Sequence, residues 1–477
     1  MLNKYKSLPI GVKASLWFIL CNVLEKGIGF ISTPIFTRIM SVTEYGQYSV
    51  FLSWSSIIGL FVTINAAGGV INNGLAKYDD KQEKFIASLQ GIASVSIIVS
   101  FIIYMVFFNE ISKIITLSRF LVTLMFIDLF FSTSIANWLA TQRYNYKYVK
   151  MVIIIVSKVA ITVILGYILV TNSNYKVEAR VLASVIISIS FGIFIYISNI
   201  IKGKCIFNKI YWKYILFFNT PLIPHVLSTL ILNQTDRLMI ERYVGVKEAG
   251  IYSLAYTVGM AMSLVTGSIN SSMIPWLYKS MKAKEYDSIK KTTRILIGVV
   301  GVSVISFILF APELLAIMGS VEYQEAKYIL PPLATCLFFI FVYTIFVNIE
   351  MYLEKTSLIM SASITVAIIN VILNFLLIKE FGYMAAAYTT LICYIIFCIL
   401  HYMFMKKAIK SVYKRKIKLV DLTFIIFMSI AILIIASLIT VIYPYNVLRY
   451  ILIVLILFIS LIFRRKIMNL LRLISSK

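Results

Sequence analysis

The sequence predicts an all-α integral membrane protein of about fourteen transmembrane helices: two six-helix lobes related by a parallel repeat, then a C-terminal helix pair. Three observations lead there: the composition, the apolar runs of spanning length, and the placement of basic residues. Of 477 residues, 60% are apolar and 14% charged, with a mean hydropathy of +0.92. Soluble domains run at about 45–50% apolar and about 25% charged, and one soluble core rarely exceeds about 250–300 residues. A soluble globular enzyme is excluded, and so is a disordered chain.

Each span is a run of roughly 20 mostly apolar residues. The first six lie near 13–37, 46–71, 86–108, 119–140, 149–171 and 180–200. The second six lie near 214–236, 249–276, 294–311, 328–350, 357–378 and 382–404, and the last pair near 421–443 and 446–463. These give an N-lobe over 1–205, a C-lobe over 206–405, and a terminal pair with a basic tail over 406–477. The first run is interrupted by Glu25 and Lys26 and is followed by no small-residue cleavage pattern, so it reads as a span rather than a signal peptide.

The net charge of +25, from 45 Lys+Arg against 20 Asp+Glu, would suggest nucleic acid in a soluble protein. Here the loops explain it. With a cytoplasmic N-terminus, inside loops and tails outnumber outside loops in basic residues by roughly three to one, a strong positive-inside signal that puts both termini in the cytoplasm. The basic loop at 405–420 reads as a solvated anchor facing lipid headgroups. Cys21, Cys205, Cys336, Cys393 and Cys398 show neither disulfide nor CxxC spacing, and two histidines are too few for a multi-histidine metal centre. No hydrophilic stretch is long enough for a soluble catalytic domain, and no catalytic triad, metal cluster, phosphate-cradling glycine loop or nucleotide motif is present. The sequence therefore assigns no catalytic residue, no metal and no cofactor, and leaves coupling to H+ or Na+ open.

An internal repeat organises the spans. Glu44-Tyr45-Gly46-Gln47-Tyr48-Ser49 returns as Glu248-Ala249-Gly250-Ile251-Tyr252-Ser253, with Arg38 pairing Arg242 upstream. Thr141-Gln142-Arg143 before span five resembles Leu353-Glu354-Lys355 before span eleven. Transporters built from such repeats place their substrate site at the repeat interface and rock the halves to alternate access.

These segments also carry a family resemblance. Thr37-Arg38-Ile39-Met40-Ser41 through Ser49 is similar to the pattern TRxLSxxEYGxYS, and Asp236-Arg237 through Gly245 to Ser253 is similar to DRxxIxxxxGxxxxGIYS. Both belong to the bacterial polysaccharide flippases (O-antigen and capsule translocases) of the multidrug/oligosaccharidyl-lipid/polysaccharide exporter superfamily. The resemblance covers essentially the whole chain. It implies a non-enzymatic protein of the bacterial cytoplasmic membrane that flips an undecaprenyl-diphosphate-linked oligosaccharide to the outer leaflet. The implied partners are that glycan, membrane lipids, a polysaccharide polymerase and glycosyltransferases.

The candidate residues follow from the cost of intramembrane charge. Glu25, Lys26, Asp128 and Lys158 would together cost roughly 10–14 kcal/mol if all faced lipid. On a helical wheel, Asn22, Lys26, Thr33 and Thr37 share a polar stripe of span one, with Glu25 on its shoulder. Span seven places His225, Thr229 and Asp236 on one stripe; span eight places Tyr252, Tyr256, Gly259, Ser263 and Asn270 on another. Lys26, Asn22, Arg38, Lys158, Tyr252, Tyr256 and Asn270 are the candidates for holding diphosphate and sugar. Glu25, Asp128, His225, Asp236 and Arg237 are the candidates for coupling or gating. Plainer readings stand beside them. Small residues on the stripes serve close packing, Lys158 neutralises Asp128, Lys26 answers an intramembrane carboxylate, His225 is a helix contact near Pro221 and Pro224, and Arg38 snorkels.

Two rival functions remain. A drug or small-cation exporter of the same superfamily would need a net acidic cavity, whereas span one offers a lysine. A membrane polysaccharide polymerase or ligase would need a large outside loop, which the sequence lacks.

Overall fold

The computed structural model describes residues 17, 27, 30–66, 68–414 and 417–455. All secondary structure among them is helical. Among the described residues, eleven helical stretches are long and apolar enough to cross a membrane, and they coincide with spans three to thirteen predicted from the sequence. Large apolar side chains stay exposed along them, for example Ile426, Phe427, Ile430, Ile434, Leu438 and Val441 on one helix. In water so continuous an apolar surface would aggregate; in a bilayer it is the solvated face. The protein is a multi-pass membrane protein.

Two compact units, Met1–Leu238 and Met239–Lys477, divide the chain. In the first unit, α1 (30–39) leads to α2 (Val42–Val62), α3 (Val70–Lys77) and α4 (Gln82–Val106). Then come α5 (Arg119–Tyr144), α6 (Tyr148–Thr171), α7 (Lys176–Gly203), α8 (Lys209–Asn219) and α9 (Ile223–Tyr243), whose last turn runs past the unit boundary. Ser41 starts α2 with a capping box: its hydroxyl accepts from the Glu44 N–H at 3.2 Å, and Glu44 accepts from the Ser41 N–H at 2.7 Å. The TRxLSxxE portion of the family pattern is thus a helix start. Beneath α3, α4 and α8, Val70, Ile71, Leu75, Phe85, Leu89, Tyr211 and Ile215 form one apolar core.

Span two does not run as one helix. α2 stops at Val62, and the chain turns through Ile64 (φ 53°) and Asn65 (φ 51°) before α3 begins. The Asn219 side chain holds this turn, donating to the Ile64 carbonyl at 2.8 Å. Span seven is likewise α8 and α9, joined by a 3₁₀ turn over Thr220–Leu222 that contains Pro221. A proline here removes an N–H from the ladder, so the helix changes course.

The second unit begins with α10 (Val246–Ala261) and α11 (Ser263–Lys282), into which span eight divides, followed by α12 (Tyr286–Leu309) and α13 (Ala311–Met318). It continues with α14 (Leu330–Tyr352), α15 (Thr356–Phe381), α16 (Met384–Tyr413), α17 (Leu422–Ile442) and α18 (Asn446–Leu455). α14 is the pillar of this unit, with 78% of its spanning window buried, whereas α6 of the first unit shows 11% and faces outward. Arg449 and Tyr450 both hold Glu313, the tyrosine at 2.8 Å, and so tie α18 to α13.

The repeat is real at the level of local structure. Val42 and Val246 both open helices, with Glu44 and Glu248 in the first turns. Ser41 caps the first; Gly245 at φ +157° precedes the second, where a Cβ would lie 2.4 Å from a Glu248 carboxylate oxygen. The second match shifts register, however. The turns after α5 and α14 place their left-handed residues at Tyr146 (φ 55°) and Glu354 (φ 58°), so Tyr146 rather than Gln142 matches Glu354, and Lys147 rather than Arg143 matches Lys355.

Candidate functional site

Asn22, Glu25 and Lys26 lie outside the described residues. From α1 onward the structure places every other candidate. Arg38 is exposed and donates to the Pro34 carbonyl at 3.4 Å. Above the start of α2, Lys176 donates to the Ile39 carbonyl at 2.7 Å and lies 3.9 Å from Glu44. Arg180, 8% exposed, is held by π faces, its guanidinium 4.0 Å from the Phe36 ring and 5.2 Å from that of Tyr48. Tyr48, drawn from the family pattern, therefore serves as a seat for a buried arginine.

Asp128 of α5 and Lys158 of α6 make no contact within 4.0 Å. One Asp128 carboxylate oxygen is buried without a hydrogen-bond partner. The expected neutralisation of Asp128 by Lys158 is thus not made as a closed ion pair.

On α9, His225 has its Nδ1 buried and without a partner. Further along, Asp236 is 1% exposed and already engaged. Arg237 donates to the Asn233 carbonyl at 2.8 Å and to Gln234 Oε1 at 2.8 Å, and Ser53 of α2 donates to the same Gln234 oxygen at 3.2 Å. Arg237 therefore shares the Gln234 oxygen that Ser53 uses to join α2 to α9 inside the first unit.

In the second unit Tyr252 is fully buried, with the Tyr256 ring 6.3 Å away. Asn270 accepts from Asn348 Nδ2 at 2.8 Å, which ties α11 to α14. These three candidates are distributed through the packing of α10, α11 and α14 rather than gathered at one point.

The most pronounced polar feature in this unit was not among the candidates. Glu350 on α14 and His401 on α16 are both fully buried, with Nδ1 at 3.1 and 3.2 Å from the two carboxylate oxygens. The imidazole stacks on Tyr343 (5.6 Å) and Phe397 (5.1 Å), and its Nε2 has no partner. A second seam links α15 to α16: Thr389 donates to Asn374, which donates to Asn370 at 3.3 Å. Among the described residues, no cluster of three or more His, Cys, Asp or Glu is placed to hold a metal ion.

Comparison with known proteins agrees with this architecture. The family described as "Polysaccharide biosynthesis protein" matches residues 12–281, and the MatE family matches residues 221–376. A relative from Haemophilus influenzae (strain ATCC 51907 / DSM 11121 / KW20 / Rd), "Lsg locus putative protein 1", is 23% identical over 280 residues, 57% of this chain and 67% of its own length. Among solved structures, "Lipid II flippase MurJ, inward closed conformation" superposes with a TM-score of 0.71 at 18% identity, covering 95% of this chain and 100% of that one. An inward-facing multidrug resistance MATE family transporter of the MOP superfamily gives 0.61 at 12% identity, over 81% of this chain and 96% of its own. At such identities the likeness shows the fold alone. The family match, spanning more than half of the sequence, shows that the chain belongs to the polysaccharide biosynthesis proteins.

Proposed function

We propose that the protein is a flippase that carries an undecaprenyl-diphosphate-linked oligosaccharide, an O-antigen or capsular repeat unit, from the cytoplasmic to the outer leaflet of the bacterial cytoplasmic membrane. The observation that carries this reading is the conjunction of a polysaccharide-biosynthesis sequence with the fold of a lipid II flippase over 95% of the chain. The six-plus-six repeat gives such a protein two halves to rock for alternating access. Lys26, with Asn22, Arg38 and Lys158, would attract the diphosphate; Tyr252, Tyr256 and Asn270 would serve sugar in conformations that expose them. The cycle would draw on an H+ or Na+ gradient. Glu350 facing His401 is a group able to hold a proton within the membrane. Both termini would be cytoplasmic, and a polymerase and glycosyltransferases would act beside the flippase.

The test is deletion of the gene in a cell that makes a surface polysaccharide. Surface glycan should vanish while lipid-linked repeat units accumulate unpolymerised. Normal surface glycan, or loss of the repeat unit itself, contradicts the reading. Sensitisation to cationic drugs with unchanged glycan would favour the exporter.

A further inference from the structure

Where α4 begins and α5 and α7 end, the first unit holds a polar pocket of about 240 Å³. Its wall carries Lys147, Lys202, Gln142, Asn145, Asn199 and Trp138, and Glu83 is its one carboxylate. The walls are set in advance. Asn145 donates to Gln82 at 3.2 Å and Gln82 to Asp79 at 2.6 Å; Asn199 donates to Gln90 at 2.9 Å and Gln90 to the Tyr196 carbonyl at 3.1 Å. Gly203 brings α7 against α4, since a Cβ there would lie 2.4 Å from the Glu83 carbonyl. The amide side chains of the wall are thus ordered before any ligand arrives.

Several groups on this wall are unspent. Among the described residues neither Lys147 nor Lys202 has a carboxylate within 4.0 Å. The Gln142 amide, in a residue 9% exposed, and the Trp138 indole N–H likewise have no protein partner there. Unpaired cations on a polar concavity at the end of spanning helices are the chemistry of a phosphate site at headgroup depth.

We propose that this pocket binds the phosphoglycerol headgroup of an anionic phospholipid on the cytoplasmic side. The two ammonium groups and the Gln142 and Trp138 N–H groups satisfy the phosphate. The carbonyl oxygens of Asn145 and Asn199, whose N–H groups are already engaged, accept from the glycerol hydroxyls. A choline headgroup offers no hydroxyl and sets a fixed cation against two lysines. The volume lies below the roughly 300–1,000 Å³ of drug-sized sites and suits one headgroup rather than an oligosaccharide. The ligand is a lipid of the surrounding bilayer, not the cargo, so the inference goes beyond flipping and rests on that proposal only for orientation.

The test is retention of phosphatidylglycerol by the purified full chain, read by native mass spectrometry in detergent, with phosphatidylcholine, phosphatidylethanolamine and free glycerol phosphate as the other probes. Phosphatidylglycerol should be retained selectively, and the Lys147→Gln, Lys202→Gln double variant should lose about 30-fold in affinity. Lys147→Arg with Lys202→Arg should keep it, and Lys113→Gln, past the other end of α4, should behave as wild type. Equal retention of phosphatidylcholine or phosphatidylethanolamine, or unchanged retention by the double glutamine variant, overturns the proposal. Full competition by free glycerol phosphate at matched concentration overturns the lipid as its source. Cargo flipping assayed on the same variants reports separately, so a failed lipid site and a failed flippase are told apart.

Discussion

Two side chains with no water and no lipid to face, Glu350 and His401, show what burial does to charge in this protein. Removing one partner from a buried pair leaves the other uncompensated, at about 3–5 kcal/mol, whereas replacing both with apolar groups is often near neutral. His401→Leu should therefore lower the apparent Tm in detergent markedly, and Glu350→Leu with His401→Leu should recover most of the loss. Single variants as stable as wild type would show that the pair carries no such energy. Nothing in the sequence singled out the pair, because Glu350 stands at the very end of the apolar run at 328–350, where a carboxylate is ordinary. Hydropathy also says nothing about which helix faces which. Lys26 is the converse case, legible only from its central place in span one. Its role follows from electrostatics: a diphosphate in a cavity of lowered dielectric needs fixed positive charge nearby. Lys26→Ala should abolish glycan export with protein still in the membrane, and Lys26→Arg should keep part of it. Normal export by Lys26→Ala would move the role to Arg38, Lys158 or Arg237.

Helices are where the sequence was most readable, because runs of about 20 apolar residues have one outcome in a bilayer. Spans three to thirteen are all present. Their interruptions were less legible. Pro221 gave a local signal for the α8–α9 bend, but the stop at Val62 depends on Asn219, a residue distant in sequence, holding the turn. The family pattern also gains a physical meaning here: Gly245 stands where φ is +157°. Gly245→Ala should cost about 1–3 kcal/mol, seen as a lower Tm, from strain at a backbone conformation that side chains avoid; an unchanged Tm would refute that requirement. At the turn between α15 and α16, the Tyr383 hydroxyl donates to Glu325 at 3.2 Å. Burial first, and then the Glu325 carboxylate, raises its pKa above the ordinary 10.0. A raised pKa means that the folded protein holds the phenol proton more tightly. The resulting stability is full below about pH 10 and is lost as pH climbs beyond it. Tyr383→Phe should flatten that alkaline decline in Tm; a decline as steep as in wild type would assign it elsewhere.

For the molecule as a whole, charge and repetition together carried the architecture. The excess of basic residues on alternate loops predicts that reporters fused at Lys477 and within the 405–420 loop both lie inside. An outside signal at either would overturn the span count. The repeat was visible in sequence and recurs as matching helix starts at Val42 and Val246, while the exact register of its second match required the turn geometry at Tyr146 and Glu354. What no periodicity encodes is the cargo, since a sugar or a diphosphate is recognised by side chains converging from separate spans. The direct measurement is transport by the purified protein in liposomes, using a fluorescent undecaprenyl-diphosphate-linked oligosaccharide and a quencher that does not cross the membrane. Label protected in the inner leaflet should become quenchable at a rate that rises with protein per vesicle and falls with Lys26→Ala. Protection that persists at every protein density, in vesicles where the folded protein is shown to be inserted, would contradict a flippase.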